Sequence, residues 1–184
     1  MRDYMERLKA RSELLEVHRE VDPKHELAAV TDAAHRRWGK PILFRKVKGS
    51  KLPVLTNIYG SRARLAEIIG IGADAFCKQW NSLAAIASSR DMPTSVPATG
   101  AIKYVDCKLS DLPLITYSER DAAPYFTSAM FLAKEPDTGV QNLSFHRSMY
   151  VSDKELRCRL APRHHLTLYH EKAEQRGTTL KPPC

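Results

Sequence analysis

The sequence lacks the long apolar run that a membrane-spanning helix needs. Of its 184 residues 43% are hydrophobic, yet none of them form a stretch near the roughly 18 apolar residues required. The opening segment, residues 1–17, is charged throughout and has no apolar centre typical of a signal peptide. We therefore expect a cytoplasmic globular protein without a membrane span, with one good core or two small ones.

Cysteine pairs and several common catalytic motifs are missing as well. The four cysteines are irregularly spaced and form no C-x-x-C pair, which favours reduced thiols over zinc ligands or disulfides. No G-x-S-x-G, P-loop or G-x-G-x-x-G motif occurs. Nucleophile-elbow hydrolases, P-loop NTPases and simple Rossmann dehydrogenases are therefore poor fits.

Acidic residues are fewer than basic ones: the sequence has 21 Asp and Glu and 29 Lys and Arg, for a net charge of +8. Such a balance suits binding to a polyanion. The basic residues are scattered, however, and the densest group, residues 45–51, has little aromatic interleaving and no accompanying nucleic-acid-binding motif. We therefore expect no nucleic-acid partner.

The first half of the chain alternates helix and strand patterns. Apolar spacing predicts helices from Asp3, as N-cap, to about Val17, from Pro23 to Trp38, and from a Ser61 cap to Ile69. Residues 42–47 and 52–60 are predicted strands. This alternation predicts an α/β domain over residues 1–101, closed by the Pro-containing stretch 92–100.

The second half, residues 102–184, contains short strands and turns. Two extended runs, Tyr125–Lys134 and Val140–Val151, flank the turn Pro136–Gly139 and predict a hairpin, because Pro presets φ and Gly tolerates a positive φ. A polar turn at 152–155, a strand at 156–160 and a helix from Pro162 to Gly177 are expected to follow. The predicted fold class is therefore mixed α/β (α+β).

The stretch GVQNLSFHR, residues 139–147, concentrates polar groups on a predicted strand. Strict alternation puts Asn142, Ser144 and His146 on one face and Leu143, Phe145 and Arg147 on the other. The polar face could line a ligand site or be the solvent-exposed face of an edge strand, and the spacing does not decide between them. The isolated histidines, His146 included, are predicted to be mostly surface residues.

A second candidate site is the predicted helix start PRHH. His164 and His165 follow Arg163 in the first turn, where backbone N–H groups and the positive end of the helix dipole favour a phosphate. The dipole also disfavours imidazolium, and a metal ion requires a neutral imidazole. Two surface histidines on an amphipathic helix are the alternative. Loop carboxylates such as Asp121 are explained equally well by capping or solvation.

Residues 120–147, RDAAPYFTSAMFLAKEPDTGVQNLSFHR, resemble the signature of the UbiD family, which includes polyprenyl-hydroxybenzoate carboxy-lyase and ferulate decarboxylases. The resemblance extends to DYMERLKARSELLEV, KPILFRKVKG, LPVLTNIYGSR, FCKQWN and PRHHLTLYHEKAEQRG, and so covers essentially the whole chain. Ala123 departs from a frequent glycine. The resemblance implies an N-terminal α/β domain followed, in residues 102–184, by an incomplete split β-barrel that binds prenylated FMN.

The resemblance also implies roles for individual residues. Asn142 and His164, with His165 as the alternative, would be ligands of a Mn²⁺ or Mg²⁺ ion beside the flavin phosphate. Arg147 would be the catalytic arginine that pairs with the substrate carboxylate. The other implied cofactor contacts are Ser144, Phe145, His146, Pro162 and Arg163, with a K⁺ ion near the backbone carbonyl of Leu143.

The implied reaction is non-oxidative (de)carboxylation of an aromatic or α,β-unsaturated carboxylic acid, for which prenylated FMN provides the electron sink. A flavin prenyltransferase would supply the cofactor, and full-length relatives are expected to be homo-oligomers. The family pattern also calls for three glutamates beyond residue 184. We therefore expect a truncated decarboxylase that is inactive alone or, alternatively, a non-catalytic flavin-binding or partner subunit.

Overall fold

The computed structural model describes residues 1–87 and 106–180 and has a mixed α/β architecture, which confirms the predicted fold class. The chain divides into two compact units, the first formed by Met1–Asp22 and Ala29–Cys107 and the second by Pro23–Ala28 and Lys108–Cys184. The predicted domain boundary after residue 101, and the stretch 92–100, lie outside the described residues. Over the part of the chain that is described, no helix has the length and apolar character needed to cross a bilayer.

The first unit contains a three-stranded sheet in the order β1-β2-β3, with β1 parallel and β3 antiparallel to β2. The first seven elements of the chain are α1 (Arg2–Ala10), β1 (Leu15–Val21), α2 (Glu26–Trp38), β2 (Ile42–Val47), β3 (Val54–Thr56), α3 (Arg62–Ile69) and α4 (Phe76–Ala87). The predicted strand at 42–47 is confirmed at its observed bounds. The Ser61 cap is confirmed as well, since its Oγ accepts the backbone N–H of Arg64 at 3.2 Å.

The first helix is shorter than predicted. It ends at Ala10, and Leu15 to Val17, which were expected to extend it, form the start of β1. Ser12 has a positive φ of 56° and interrupts the helix. Strand pairing of Leu15 with Ile42 then outweighs the approximate helical spacing of the apolar residues. Asp3 is not the N-cap, which is Met1.

The second unit contains two antiparallel sheets and one α-helix. Its elements are a 3₁₀ turn (Leu109–Asp111), β4 (Tyr125–Phe126), β5 (Met130–Lys134), β6 (Gln141–Phe145), β7 (Ser148–Ser152), β8 (Glu155–Cys158) and α5 (His165–Gln175). Strands β5 and β6 form the predicted hairpin, and β4, β7 and β8 form a three-stranded sheet in the order β4-β7-β8.

The second extended run, Val140–Val151, is not one strand as predicted. It is divided at His146 and Arg147 into β6 and β7, which belong to different sheets. The chain therefore changes sheets within the segment that the sequence marks as the richest in polar groups.

Helix α5 packs against the hairpin. Its residues Leu166 and Tyr169 are buried with Ala133 of β5, and Phe131 packs against this cluster. The helix begins at His165, three residues later than predicted, with His164 as N-cap. Its predicted end is confirmed, because Gly177 has a φ of 64° and the next amide returns to the carbonyl of Ala173 at 2.9 Å.

Candidate functional site

The polar face of β6 points inward. Asn142 and Ser144 are half-buried and His146 is only 6% exposed, whereas Leu143, Phe145 and Arg147 are exposed. The predicted alternation is confirmed, and the alternative of a solvent-facing polar edge is wrong. The prediction that His146 is a surface residue is wrong too. These polar groups share a face of the hairpin with the residues that contact α5, so their hydrogen bonds must be satisfied within the protein.

Asn142 lies beside a histidine of α5. Its Oδ1 is 3.0 Å from Nδ1 of His165, the first residue of the helix, and the His165 ring stacks on Tyr169 one turn further on. His164, which the resemblance favoured as the ligand, is the exposed N-cap residue and makes no side-chain cap. The contact between strand and helix is therefore made by the alternative residue, His165.

The separation of the Asn142 and His165 side chains can be compared with that of two ligands of one divalent ion. Two ligands at right angles, each about 2.1 Å from an octahedral ion, are about 3.0 Å apart. The two side-chain atoms are 3.0 Å apart, which is equally the length of a hydrogen bond from Nδ1–H to Oδ1, so a bound ion would replace that proton. An amide oxygen with one imidazole also suits Mn²⁺ or Mg²⁺. Among residues 1–87 and 106–180 no three His, Cys, Asp or Glu side chains form a cluster, so this pair would be part of a ligand set.

The N-terminus of α5 fits a phosphate. The first amides of a helix have no partner within it and point along the positive end of the dipole. Arg163, which precedes the N-cap, has a φ of 65°, a conformation that non-glycine residues rarely adopt. Such strain is common at functional sites. Pro162 and Arg163 are both exposed, so this helix end is open to a ligand.

His146 is held from several directions at the bend between the two sheets. Its Nε2 is 2.9 Å from Oγ of Ser144, and its backbone amide donates to the carbonyl of Ala129 at 3.0 Å. Its ring meets the edge of Phe131 with centroids 5.3 Å apart. These contacts position the residues on either side, Phe145 and Arg147.

Arg147 is held by an acid and an aromatic ring. Its Nη2 donates to Asp121 Oδ1 at 2.6 Å, and its guanidinium lies 4.0 Å from the centroid of the Tyr125 ring. The other Asp121 oxygen accepts the amide of Ser118. Sequence reasoning missed this partner because it explained Asp121 by its turn. The one indication in the sequence was that Asp121 and Arg147 lie in the same signature segment, residues 120–147.

A cleft of about 420 Å³ opens beside Arg147, within the size range of small-molecule sites. Its floor includes Tyr125 and Met149, which are directly paired across β4 and β7. The remaining lining residues are Arg147, Arg157, Cys158 and Arg159. The cleft is therefore positively charged, with an aromatic and a thioether surface.

The hairpin turn is anchored to α5 by Glu135, which is 8% exposed. Its carboxylate accepts hydrogen bonds from Lys172 Nζ at 2.5 Å and from the amides of Asp137 and Thr138. These contacts, with that of Lys172 the largest, lower the pKa of Glu135 to about 2. Arg176 and Lys172 also pair with Asp137. The network fixes the strand that carries Asn142 against the helix that carries His165.

Two family models match the chain, one for each half. The 3-octaprenyl-4-hydroxybenzoate carboxy-lyase N-terminal domain matches residues 5–84, and the Rift-related domain of the same carboxy-lyase matches residues 92–182. The chain belongs to the UbiD family. The resemblance found in its motifs is thereby confirmed over almost its whole length.

Relatives of this UbiD chain include decarboxylases. The anhydromevalonate phosphate decarboxylase of Methanosarcina mazei is 34% identical over 179 residues, which are 97% of this chain and 40% of that protein. An evolved dimeric form of the UbiD-class enzyme HmfF from Pelotomaculum thermopropionicum, in complex with prFMN, superposes with a TM-score of 0.82. It is 31% identical, and the match covers 97% of this chain and 42% of HmfF.

Vanillic acid decarboxylase from Sedimentibacter hydroxybenzoicus, in its closed form, superposes equally well. Its TM-score is 0.82 at 24% identity, and the match covers 97% of this chain and 40% of the enzyme, which supports the fold alone. The UbiD chain therefore spans about two fifths of the length of the relatives it matches.

Proposed function

We propose that this chain forms the flavin-binding part of a UbiD-type carboxy-lyase. The reaction would be non-oxidative (de)carboxylation of an aromatic or α,β-unsaturated acid with prenylated FMN. The observation that carries the proposal is the contact of Asn142 with His165. It places an oxygen and a nitrogen that could each bind a metal ion side by side at the N-terminus of a helix. Support comes from the family and from the HmfF complex with prFMN.

Asn142 and His165 would hold Mn²⁺ or Mg²⁺ beside the flavin phosphate, which the N-terminus of α5 and Arg163 would bind. A metal ion requires a neutral imidazole as its ligand. Ser144, His146 and Pro162 would complete the cofactor contacts, and the carbonyl of Leu143 would face K⁺. Phe145 would contribute through its backbone, because its side chain lies on the outer face of β6. His164, the neighbouring imidazole at the same helix end, is the alternative ligand.

Arg147 would bind the carboxylate of the acid before carbon dioxide leaves. Its planar guanidinium can donate two parallel hydrogen bonds to a carboxylate. Asp121 and the ring of Tyr125 fix the orientation of this fork before the substrate arrives, which reduces the entropy lost on binding. The prenylated flavin, when bound, supplies the sink for the electrons left on the substrate carbon.

A non-catalytic role, as a flavin-binding or partner subunit of a UbiD-type complex, is the second candidate. The contact of Asn142 with His165 supports this role equally, because that contact bears on cofactor binding and not on turnover. In both cases a flavin prenyltransferase would supply the cofactor. The two candidates differ in turnover of the acid, whereas both require the cofactor site.

The test is coexpression of the chain with a flavin prenyltransferase, followed by the ultraviolet-visible spectrum and mass spectrometry of bound manganese. We expect flavin and manganese in the unmodified chain, and loss of manganese in Asn142→Ala and His165→Ala. His164→Ala is the matched control, because it removes the neighbouring imidazole from the same helix end. Metal loss in His164→Ala with retention in His165→Ala would reverse the assignment, and a chain without flavin would overturn the proposal.

A further inference from the structure

The side chain of His146 is buried and held in one direction. Its backbone is fixed on both sides, because its amide donates to the carbonyl of Ala129 at 3.0 Å and its carbonyl accepts the hydroxyl of Ser148 at 3.1 Å. The ring meets the edge of the Phe131 ring in a T-shaped contact, which is a preferred arrangement of two rings. The imidazole therefore has little freedom to turn.

The hydroxyl of Ser144 is the polar group that this ring meets. Nε2 lies 2.9 Å from Oγ, whereas Nδ1 has no hydrogen-bond partner among the described residues. Ser144 pairs with Phe131 across β5 and β6, so both side chains project to the inward face of the hairpin. A serine hydroxyl rotates to suit its neighbours. His146 therefore determines where the proton of Ser144 points.

The position of the ring proton determines what Ser144 can bind. In a neutral imidazole one nitrogen is a donor and the other an acceptor. A proton on Nε2 is donated to Ser144 Oγ, and the hydroxyl proton then remains for an anion. A proton on Nδ1 would have no acceptor in the described parts of the chain, and Nε2 would accept the hydroxyl proton instead. In protein interiors an orphaned N–H is rarer than an acceptor short of one bond, which favours the proton on Nε2.

We propose that His146 is a positioning residue that fixes the Ser144 hydroxyl as a hydrogen-bond donor to the phosphate of the flavin. Ser144 lies two residues from Asn142 on the same face of β6. Asn142 contacts His165 at the helix end to which the proposed function assigns that phosphate. The inference rests on the proposed function, and in it the contribution of His146 to the cofactor site passes through Ser144.

Titration of the flavin-free chain with FMN and with riboflavin tests the inference, because only FMN carries the phosphate. Ser144→Ala and His146→Phe should each weaken FMN binding roughly tenfold, the effect of losing a hydrogen bond to a charged group, and change riboflavin binding less than about twofold. The double variant should bind FMN no more weakly than either single variant, since both remove the same bond. Ser152→Ala removes a hydroxyl at the end of β7 and is the control that should change neither affinity.

His146→Gln separates a positioning role from a packing role. Phenylalanine keeps an aromatic ring against Phe131 but has no donor, whereas glutamine keeps an N–H donor without the ring. His146→Gln should therefore bind FMN within about threefold of the unmodified chain. Long-range proton–nitrogen NMR spectra of the flavin-free chain, in which His146→Gln identifies the signals of His146, should show the ring proton on Nε2.

A ring proton on Nδ1, unchanged FMN affinity in His146→Phe, or equal losses in His146→Phe and His146→Gln would overturn the inference. Equal weakening of FMN and riboflavin in Ser144→Ala would overturn it too, and this variant keeps the ring packing if His146→Phe does not fold. Failure of the proposed function has a separate signature, because the unmodified chain itself would then bind no flavin.

Discussion

The carboxylate of Glu135 connects the hairpin turn to α5, and its removal should destabilise the second unit. In Glu135→Gln the amides of Asp137 and Thr138 lose a charged acceptor, and Lys172 loses one of its two partners. We expect the thermal midpoint to fall by a few degrees at pH 7. Differential scanning calorimetry measures the shift. Glu171→Gln, an exposed carboxylate on the same helix, should leave the midpoint almost unchanged.

The same residue should make stability depend on pH in a known direction. The pKa of Glu135 is lowered from 4.5 to about 2 in the folded chain, so the unfolded chain binds a proton first. The stabilisation is complete above pH 4.5 and is lost as the pH falls towards 2. The difference in stability between the unmodified chain and Glu135→Gln should therefore shrink over that interval. A difference that stays constant down to pH 2 would contradict the lowered pKa of Glu135 as its cause.

At the scale of elements, the contact between α5 and the hairpin depends on Leu166. Its side chain is 5% exposed and lies in the cluster with Ala133 and Tyr169. Leu166→Ala should cost about 2–4 kcal/mol of unfolding free energy, because it combines lost burial with a cavity. Urea denaturation of both variants measures this value. Leu168→Ala, on the exposed side of the same helix, should cost at most about 0.5 kcal/mol beyond any helix-propensity effect.

A cost below about 1 kcal/mol for Leu166→Ala would mean that α5 does not pack on the hairpin in solution. The helix would then not hold His165 against Asn142.

Local signals were enough to predict some elements and not others. Strand β2 was predicted at its observed bounds because residues 42–47 are rich in β-branched and aromatic side chains, and α3 because Ser61 caps it and its apolar residues fall on one side. The division at His146 has no local signal, since the alternation of side chains continues through it and only the partner strand changes. Partner choice is a tertiary property.

Local signals likewise predicted only part of the site. Asn142 and Arg147 could be named from motifs, and so could the pair His164 and His165. Which histidine meets Asn142 depends on where α5 begins, and helix ends are the least certain feature of a sequence-based prediction. The contacts of Asp121 with Arg147 and of Glu135 with Lys172 join segments far apart in the chain. No periodicity predicts such contacts.

At the scale of the molecule, the outer face of the hairpin is apolar. Met130 pairs with Phe145 and Leu132 pairs with Leu143, and these side chains are 46–69% exposed. Large exposed apolar patches favour association. We expect the isolated chain to bind 8-anilinonaphthalene-1-sulfonate and to self-associate with rising concentration, measured by fluorescence and sedimentation.

The double variant Leu132→Thr with Leu143→Thr keeps residues suited to strands and should reduce both signals. Val151→Thr, an exposed apolar residue on β7, is the control and should reduce neither. Equal effects of the two variants would mean that the hairpin face is not the surface responsible.

The change of sheet at His146 and Arg147 has a consequence for how this segment can vary. Side chains of β6 alternate between an inward polar set and an outward apolar set, so one inserted residue would exchange the two sets beyond the insertion. Asn142 would then lose its position opposite α5, or Arg147 its position beside Asp121, even though every side chain was still present. The length of the segment from 142 to 147, more than its composition, is therefore what variation must preserve.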